Sequence, residues 1–387
     1  PMPLTKLQFK PGINRDVTSY SNEGGWVDSD KVRFRLGFPE KIGGWVKYSS
    51  NTFLGTCRAL HTWVTLAGTQ YLGLGTHLKY YLEIGQSFSD ITPIRKTSTD
   101  SITFAATDGS STLAVTDSSN GVVVSDFVTF SGAATLGGLI TATVLNQEYQ
   151  VSGVTSANVY SVVAKDTDGV AVTANSSDSG NGGSGVDGLY QINVGLDTEV
   201  GGTGWGAGTW GRSTWGSGTD ISTTTELRIW SHDNFGEDLL INPRDGGVYY
   251  WDASATNAFT TRAVEISTLT GASDTPTVAK QIMVADNSRH VIAFGTNTLG
   301  TTVQDSLLIR FSDQESFLDW TPKATNSAGD LRIGSGSNFV RAIETKREIL
   351  IWTNSSLQTM QYLGPPFVYG IQPLASNITI MGANAVA

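Results

Sequence analysis

The sequence predicts an all-β fold, in which a β-propeller-like core follows an extended N-terminal arm and is interrupted by a small inserted β domain. Apolar residues form no sustained i, i+3, i+4, i+7 stripe of the kind that an amphipathic helix needs. The chain has 387 residues with 44 glycines, many threonines, serines and asparagines, and only 16% charged residues. Such a composition is typical of short strands joined by many turns, and the length suffices for two or three domains.

Residues 1–50 are predicted to form the arm, because they contain none of the repeated strands found further along. The arm includes the stretches FKPGINRD (9–16), GGWVDSDKVRFR (24–35) and FPEKIGGW (38–45). Cationic and aromatic side chains alternate there, a composition that is enriched at protein interfaces. We therefore expect a β-hairpin that covers the core of its own chain, contacts a neighbouring subunit or adaptor, or does both. The candidate interface residues are Trp26, Lys31, Arg33, Phe34, Arg35, Phe38, Lys41 and Trp45.

The propeller-like domain is predicted at 51–96 and 205–387, where a weak repeat recurs. Each copy reads as an apolar strand, a polar turn and two more apolar strands, as in propeller blades. An ordinary β-sandwich meander is the alternative. The last stretch, 378–387, resembles the opening of a further copy, so the chain is expected to be a fragment of a longer polypeptide. The copies are Ala59–Ile84, a partial one at Asp238–Ala253, Ala279–Ser312 and Phe339–Gly364.

Residues 97–204 are predicted to form an inserted acidic β domain. They carry eleven acidic residues and one basic residue, Lys165, whereas the rest of the chain balances at 24 of each. All ten tryptophans lie outside this segment, so tryptophan and charge mark the same boundaries. Strand-like stretches are expected at 121–130, 146–151 and 158–164. The exit is a glycine-rich stretch at 176–218 that spaces Trp205, Trp210 and Trp215 five residues apart.

The arm resembles the tail hub or nozzle proteins of short-tailed bacteriophages, also called packaged-DNA stabilisation proteins. The resemblance implies a propeller-containing subunit, six copies of which extend the portal and adaptor rings into a channel that retains DNA and conducts it during ejection. It also implies contact with tail needle or fibre proteins, a place in the virion tail, and assembly in the host cytoplasm. The acidic insertion and the low blade count depart from that pattern. The residues that carry the resemblance are the Pro11–Ile13 turn, the run Trp26, Asp28, Lys31, Val32, Arg33 and Phe34, and the turn Pro39, Lys41, Gly43, Gly44 and Trp45.

No enzyme, metal site or cofactor is expected from the residue patterns. The four histidines (61, 77, 232 and 290) lack HxH or HExxH spacing. The carboxylates Asp28 and Asp30, and Asp313, Glu315 and Asp319, are expected to pair with Lys31, Arg33 and Arg310 rather than to act on glycosides. The DTDG sequence at 166–169 departs from a calcium loop and is expected to be a turn. The lone Cys57 fits a reducing compartment.

The charge of the chain bears on nucleic acid and membrane binding. A net charge of −10 disfavours tight DNA binding, so we expect passive contact with packaged duplex DNA at a wall that repels phosphate. Neither a secretion signal nor an apolar run of about 18 residues occurs, so no membrane contact is expected. Two alternatives remain open. One is a carbohydrate-binding adhesin that stacks sugars on Trp205, Trp210 and Trp215, and the other is a glycan hydrolase that depends on Asp28 or Asp319.

Overall fold

The computed structural model describes residues 9–18, 20–44, 46–179, 182–198 and 226–386. The chain divides into two units, 1–50 and 51–387, and each is described by itself. The helices among the described residues are one short α-helix, α1 (Ala142–Leu145), and two 3₁₀ turns, Ala258–Thr260 and Ile266–Thr268. Antiparallel strands make up the regular structure elsewhere, which confirms the predicted all-β class. Trp45, Trp205, Trp210 and Trp215 lie outside the described residues.

The described residues of the first unit contain one hairpin, formed by β1 (Val32–Arg35) and β2 (Phe38–Lys41). Arg35 pairs with Phe38, so the loop consists of Leu36 and Gly37 alone. Both loop residues have positive φ, 50° and 86°, as in the type I′ turn, whose twist matches that of the flanking strands. The expected hairpin is therefore present in the arm.

The second unit begins with a four-stranded antiparallel meander, and its strands pair in chain order. This first sheet coincides with the predicted repeat Ala59–Ile84 and adds a fourth strand that the repeat pattern did not include. Its strands are β3 (Cys57–Val64), β4 (Gln70–Thr76), β5 (Tyr80–Ile84) and β6 (Ser87–Asp90).

A seven-stranded antiparallel sheet, the insert sheet, follows the first sheet and covers one apolar core. Its order is β7-β13-β10-β11-β12-β9-β8. The stretch 121–130, expected to be a strand, is extended only from Phe127 onward, because Gly121 and Ser125 have positive φ and the Asp126 carboxylate accepts the Val123 N–H in a turn. The strands are β7 (Ile94–Ser98), β8 (Thr103–Ala106), β9 (Thr112–Thr116), β10 (Phe127–Ser131), β11 (Glu148–Ser156), β12 (Val159–Val163) and β13 (Asp187–Gln191).

Three more four-stranded meanders complete the second unit, each again paired in chain order. They coincide with the other predicted repeats, whereas residues 378–386 form no strand. The second sheet is β14 (Trp230–Phe235), β15 (Asp238–Pro243), β16 (Tyr249–Trp251) and β17 (Val264–Glu265). The third is β18 (Gln281–Val284), β19 (Val291–Phe294), β20 (Leu308–Phe311) and β21 (Gly329–Arg332). The fourth is β22 (Phe339–Glu344), β23 (Ile349–Thr353), β24 (Ser356–Tyr362) and β25 (Tyr369–Ser376).

The four meanders stack face to face in chain order, as propeller blades do. One apolar cluster joins the first and second sheets, another the second and third, and a third the third and fourth. The first strands of successive sheets lie next to each other, β14 between β3 and β18. Among the described residues no apolar cluster joins the fourth sheet back to the first. The described part of the chain is therefore a propeller-like stack without ring closure.

A buried ionic network joins the insert sheet to the stack. The Lys79 ammonium, on a side chain 3% exposed, donates to Asp90 at 2.7 Å and to Glu148 of β11 at 2.6 Å. Arg262, in the segment that leads into β17 of the second sheet, pairs with Asp90 as well. Gln191 of β13 donates to Glu148 at 2.6 Å. Lys79 thus links the first sheet to the insert sheet, and Arg262 links the same network to the second sheet.

Candidate functional site

The predicted interface residues of the arm come together on and beside the hairpin. Side chains alternate along β1, so Val32 and Phe34 are half-buried while Arg33 is exposed. The Trp26 ring lies 6.4 Å from the Phe34 ring, and Arg33 Nε donates to Glu40 at 3.2 Å. Exposed side chains on the same hairpin are those of Lys31, Arg35, Leu36, Phe38 and Lys41. These candidate residues lie close together in the described part of the arm, and Trp45 lies outside the described residues.

A second candidate site, the inner-strand groove, lies in the second unit between β14, β18 and β22. It is a cavity of about 200 Å³. The strands that line it belong to three different sheets, so no ladder of backbone hydrogen bonds joins them. Side chains instead form hydrogen bonds with backbone groups at the strand edges. The Ile282 N–H donates to Ser231 Oγ at 2.9 Å and the Val284 N–H to Asp233 Oδ2 at 2.8 Å. These bonds fulfil the rule that buried backbone donors find partners.

One end of the groove is cationic and centred on Arg341 of β22. Its Nε is buried without a hydrogen-bond partner, and among the described residues no carboxylate lies within 4 Å of its guanidinium. The nearby carboxylate of Glu226 is engaged by Arg244 at 2.6 Å and Lys280 at 3.2 Å. Burial, and then the charge of Arg244, lowers the pKa of Arg341. The Nε of Arg341 is thus a buried donor in this site that has no partner among the described residues.

The other end of the groove is acidic. Burial raises the pKa of Asp233, and burial followed by the charges of Asp286 and Asp233 raises the pKa of Glu344. The Glu344 carboxylate accepts the Asp286 N–H at 3.1 Å. Asp233, Glu344 and Arg341 thus line one cavity, a set of groups suited to a ligand that carries both an anionic group and hydroxyl donors.

His232 lies beside the groove and is held neutral. Burial, and then the neighbouring His61 and Arg341, lowers its pKa to about 3. Its ring centroid is 4.8 Å from that of His61, and its Nδ1 lies 3.0 Å from the Tyr80 hydroxyl. His61 in turn donates to Asn234 Oδ1 at 2.6 Å. Two of the four scattered histidines are thus neighbours in space, and both are fixed by packing and hydrogen bonds.

The carboxylates considered for catalysis mostly support loops and ion pairs. Asp28 pairs with Arg15, and Asp30 pairs with the predicted Lys31 at 3.7 Å. Asp319 accepts from Lys323 and Asn326. The prediction that Arg33 and Arg310 pair with these carboxylates is wrong, because Arg33 pairs with Glu40 and Arg310 with Asp274. The remaining two are Asp313, which accepts from Ser327, and Glu315, which pairs with Arg289.

The DTDG sequence forms the expected turn. Asp166 Oδ1 accepts the N–H groups of Asp168 and Val170 at 3.0 and 2.8 Å, and Gly169 has a φ of 81°. Within the described part of the chain, no group of three or more His, Cys, Asp or Glu side chains is placed to hold a metal ion.

The inner-strand groove was not found from the sequence. Arg341, Asp233 and Gln281 lie on strands that are far apart in the chain, and only the order of the sheets brings them together. The available signal is weak: polar residues interrupt strands such as WSHDNF (β14) and FVRAIE (β22).

Comparisons with known proteins add little to this geometry. No protein-family model matches the sequence, and no curated protein matches it. Among solved structures, the chain is similar to the phage phi92 endosialidase at 12% sequence identity, over 79% of this chain and 41% of that one, with a TM-score of 0.24. A score this low supports no argument about fold or activity. In the described residues no helix has the length and apolarity needed to span a membrane.

Proposed function

We propose that this chain is a structural subunit of a short bacteriophage tail, in the nozzle or hub ring that extends the portal and adaptor channel. The observation that carries the proposal is the arm hairpin. Residues that resemble the tail hub and nozzle proteins occupy one local structure, with Trp26 against Phe34 and Arg33 paired with Glu40. Its other cationic and apolar side chains are exposed, as suits an assembly element rather than a core.

The proposed role assigns this chain no catalytic residue and no cofactor. Copies of the chain form a ring, hexameric by resemblance, that contacts adaptor and portal proteins on one side and needle or fibre proteins on the other. Packaged DNA touches the ring passively during retention and ejection. The net charge of −10 supports this passive contact, because a surface that repels phosphate lets a duplex slide.

Electron microscopy of released tails tests the proposal. Antibody against the recombinant full chain is expected to decorate the tail axis below the portal, and class averages of that region are expected to show a six-fold ring with a hole wide enough for a duplex. Antibody against a known fibre protein serves as the control for peripheral labelling. Labelling of peripheral fibres alone, with no ring, would overturn the nozzle assignment.

A second candidate function, a carbohydrate-binding adhesin, is favoured by the unpaired guanidinium of the inner-strand groove. The three tryptophans first considered for sugar stacking lie outside the described residues. Arg341 at one end suits the carboxylate of a sugar acid, and Asp233 and Glu344 at the other suit its hydroxyl groups. The volume of about 200 Å³ limits the ligand to one compact unit, such as a uronic acid residue.

Calorimetry with glucuronate tests this second candidate. The Arg341→Gln variant is expected to weaken binding at least tenfold, because it removes the charge-assisted bonds to the carboxylate. The control is Arg289→Gln, which removes another arginine that is 41% exposed and paired with Glu315. Equal binding by the two variants, or none by the wild type, would rule out the groove as a sugar-acid site.

A further inference from the structure

The arm, residues 1–50, has no apolar core among its described residues. Its buried side chains are Asn22 and Ser49, both polar. Large apolar side chains are instead open to solvent: Leu36 is 92% exposed and Phe38 is 74% exposed. Tyr20 and Val46 are similarly exposed. The described part of the arm therefore presents large apolar side chains outward and buries none of them fully, since even Trp26 and Phe34 are only half-buried.

Such a unit has little stability of its own. A two-stranded hairpin is marginal in water unless a third strand or a packed face supports it, and a unit of about 50 residues buries a small fraction of its surface on folding. Ordering the backbone without burial is unfavourable. The arm must acquire its missing apolar contacts from another surface, in the way that segments which fold on binding do.

The charge of the chain identifies that surface. Residues 1–50 carry eight Lys and Arg against five Asp and Glu, so residues 51–387 carry 17 against 30. The arm is thus positive by three charges and the body, residues 51–387, is negative by thirteen. Opposite charges of this size favour encounter and correct docking between arm and body.

We propose that the arm of each chain folds against the body of a second copy of the same chain. This inference deepens the proposed function, since it rests on the assembly of copies into a ring and names the element that joins them. Leu36 and Phe38 supply the apolar contact, while Lys31, Arg33, Arg35 and Lys41 face acidic side chains of the neighbour. Because the contact is heterologous, it can propagate around a closed ring.

Zero-length carbodiimide cross-linking of the full chain tests the choice of partner. Equal amounts of ¹⁴N and ¹⁵N protein are mixed, cross-linked and digested, and peptides that join Lys31 or Lys41 to an Asp or Glu of 51–387 are sought by mass spectrometry. Pairs of mixed isotope are expected. In parallel, hydrogen exchange of the β1 and β2 amides is expected to slow at least tenfold as protein concentration rises from nanomolar to tens of micromolar.

Two variants separate the apolar contact from the folding of the hairpin. Leu36→Asn replaces a type I′ turn residue with one that this turn prefers, so the hairpin itself is favoured while the apolar contact is lost. We expect Leu36→Asn and Phe38→Ser each to raise the dissociation constant of the oligomer at least tenfold in light scattering. The control is Val303→Ser, which removes an apolar side chain of matched exposure, 72% against 74% for Phe38.

Several results would overturn the inference. Cross-links confined to a single isotope, or amide protection that persists at every dilution, would show that the arm packs on its own chain. Amides that stay unprotected at all concentrations would show that the arm waits for a different protein. None of these results affects the tail-labelling experiment. A tail protein whose subunits are joined by another element would still label the tail axis, whereas a protein that is not a tail component would not.

Discussion

The ionic network around Lys79 leads to a quantitative prediction. Replacing Lys79 with Met keeps the length and apolar character of the side chain but removes the charge that joins Asp90 to Glu148. It also removes the ammonium that lies 4.4 Å from the centre of the Phe127 ring. Arg262 is then the cation left near both carboxylates among the described residues, 2.5 Å from Asp90 and 3.8 Å from Glu148.

The size of the effect follows from burial. Removing one partner of a fully buried ion pair costs about 3–5 kcal/mol. The Lys79 side chain is 3% exposed, but those of Asp90 and Glu148 are 19% and 31% exposed, so water partly solvates the carboxylates left behind. Arg262 offsets a further part of the loss. We therefore expect the free energy of unfolding to fall by about 2–3 kcal/mol.

Urea unfolding followed by two signals measures this loss and locates it. All ten tryptophans lie outside 97–204, so their fluorescence does not report directly on the insert sheet, whereas far-ultraviolet circular dichroism reports on all strands. In Lys79→Met the two transitions are expected to separate, because the insert sheet loses its link to the stack. The control is Lys165→Met, which changes the one lysine of the insertion, an exposed residue, and is expected to cost less than about 0.5 kcal/mol. Equal stability of the two variants would refute the assigned role of Lys79.

Two other substitutions test local features of the second unit. Glu344→Gln keeps an acceptor for the Asp286 N–H but removes a carboxylate whose pKa is raised in the folded protein. Because the charged form of Glu344 is unfavourable in the folded state, the variant should be more stable than wild type at pH 7. This gain should vanish as the pH falls below about 4, near the ordinary pKa of Glu, because the carboxyl group is then protonated in both states. A gain independent of pH in urea titrations would contradict this. Gly75→Ala places a methyl group against the Trp230 indole, which is fixed by its bond to the Thr76 carbonyl at 2.7 Å; a loss of about 1–3 kcal/mol is expected, against little change for Gly334→Ala, where no atom lies within 4 Å.

The fold was accessible from the sequence to the extent that local patterns determine it. Alternation and turns identified three repeats that coincide with the first, third and fourth sheets. The second sheet was recognised only in part, because its first strand, β14, reads WSHDNF and lacks apolar alternation. Those polar residues face neighbouring strands and His61 rather than an apolar layer. Tertiary contacts between sheets therefore decide the character of this strand.

The arm could be recognised from local sequence patterns, whereas the groove could not. The candidate interface residues of the arm are close in sequence, so composition alone grouped them around a hairpin whose turn, Leu36-Gly37, lacks the usual Asn-Gly signal. The groove depends on the pairing of distant sheets, which no local pattern encodes. The network at Lys79 shares this property, since its members come from positions 79, 90, 148, 191 and 262. Spacing rules apply to residues within one helix or strand, so they do not predict charge pairs between residues that are distant in the sequence.

The polar lining of the groove has two separate causes, which a pair of substitutions can distinguish. Gln281 is 4% exposed and bonds both backbone groups of Ala342, donating to its carbonyl at 2.8 Å and accepting its N–H at 2.9 Å. Gln281→Leu leaves both groups without a partner inside the protein, and at about 1–3 kcal/mol for each buried group we expect a loss of about 2–4 kcal/mol.

Arg341 satisfies no strand edge, so the fold does not require its charge. Its buried Nε without a partner is unfavourable, and Arg341→Gln is therefore expected to leave the free energy of unfolding within about 0.5 kcal/mol of wild type or to raise it. Urea unfolding of both variants at pH 7 makes the comparison. If Arg341→Gln were as destabilising as Gln281→Leu, Arg341 would be a structural residue, and the groove would lose the observation that makes it a candidate binding site. If only Gln281→Leu is destabilised, the guanidinium is free to serve a ligand, since the polar residues around it already account for the packing of the inner strands.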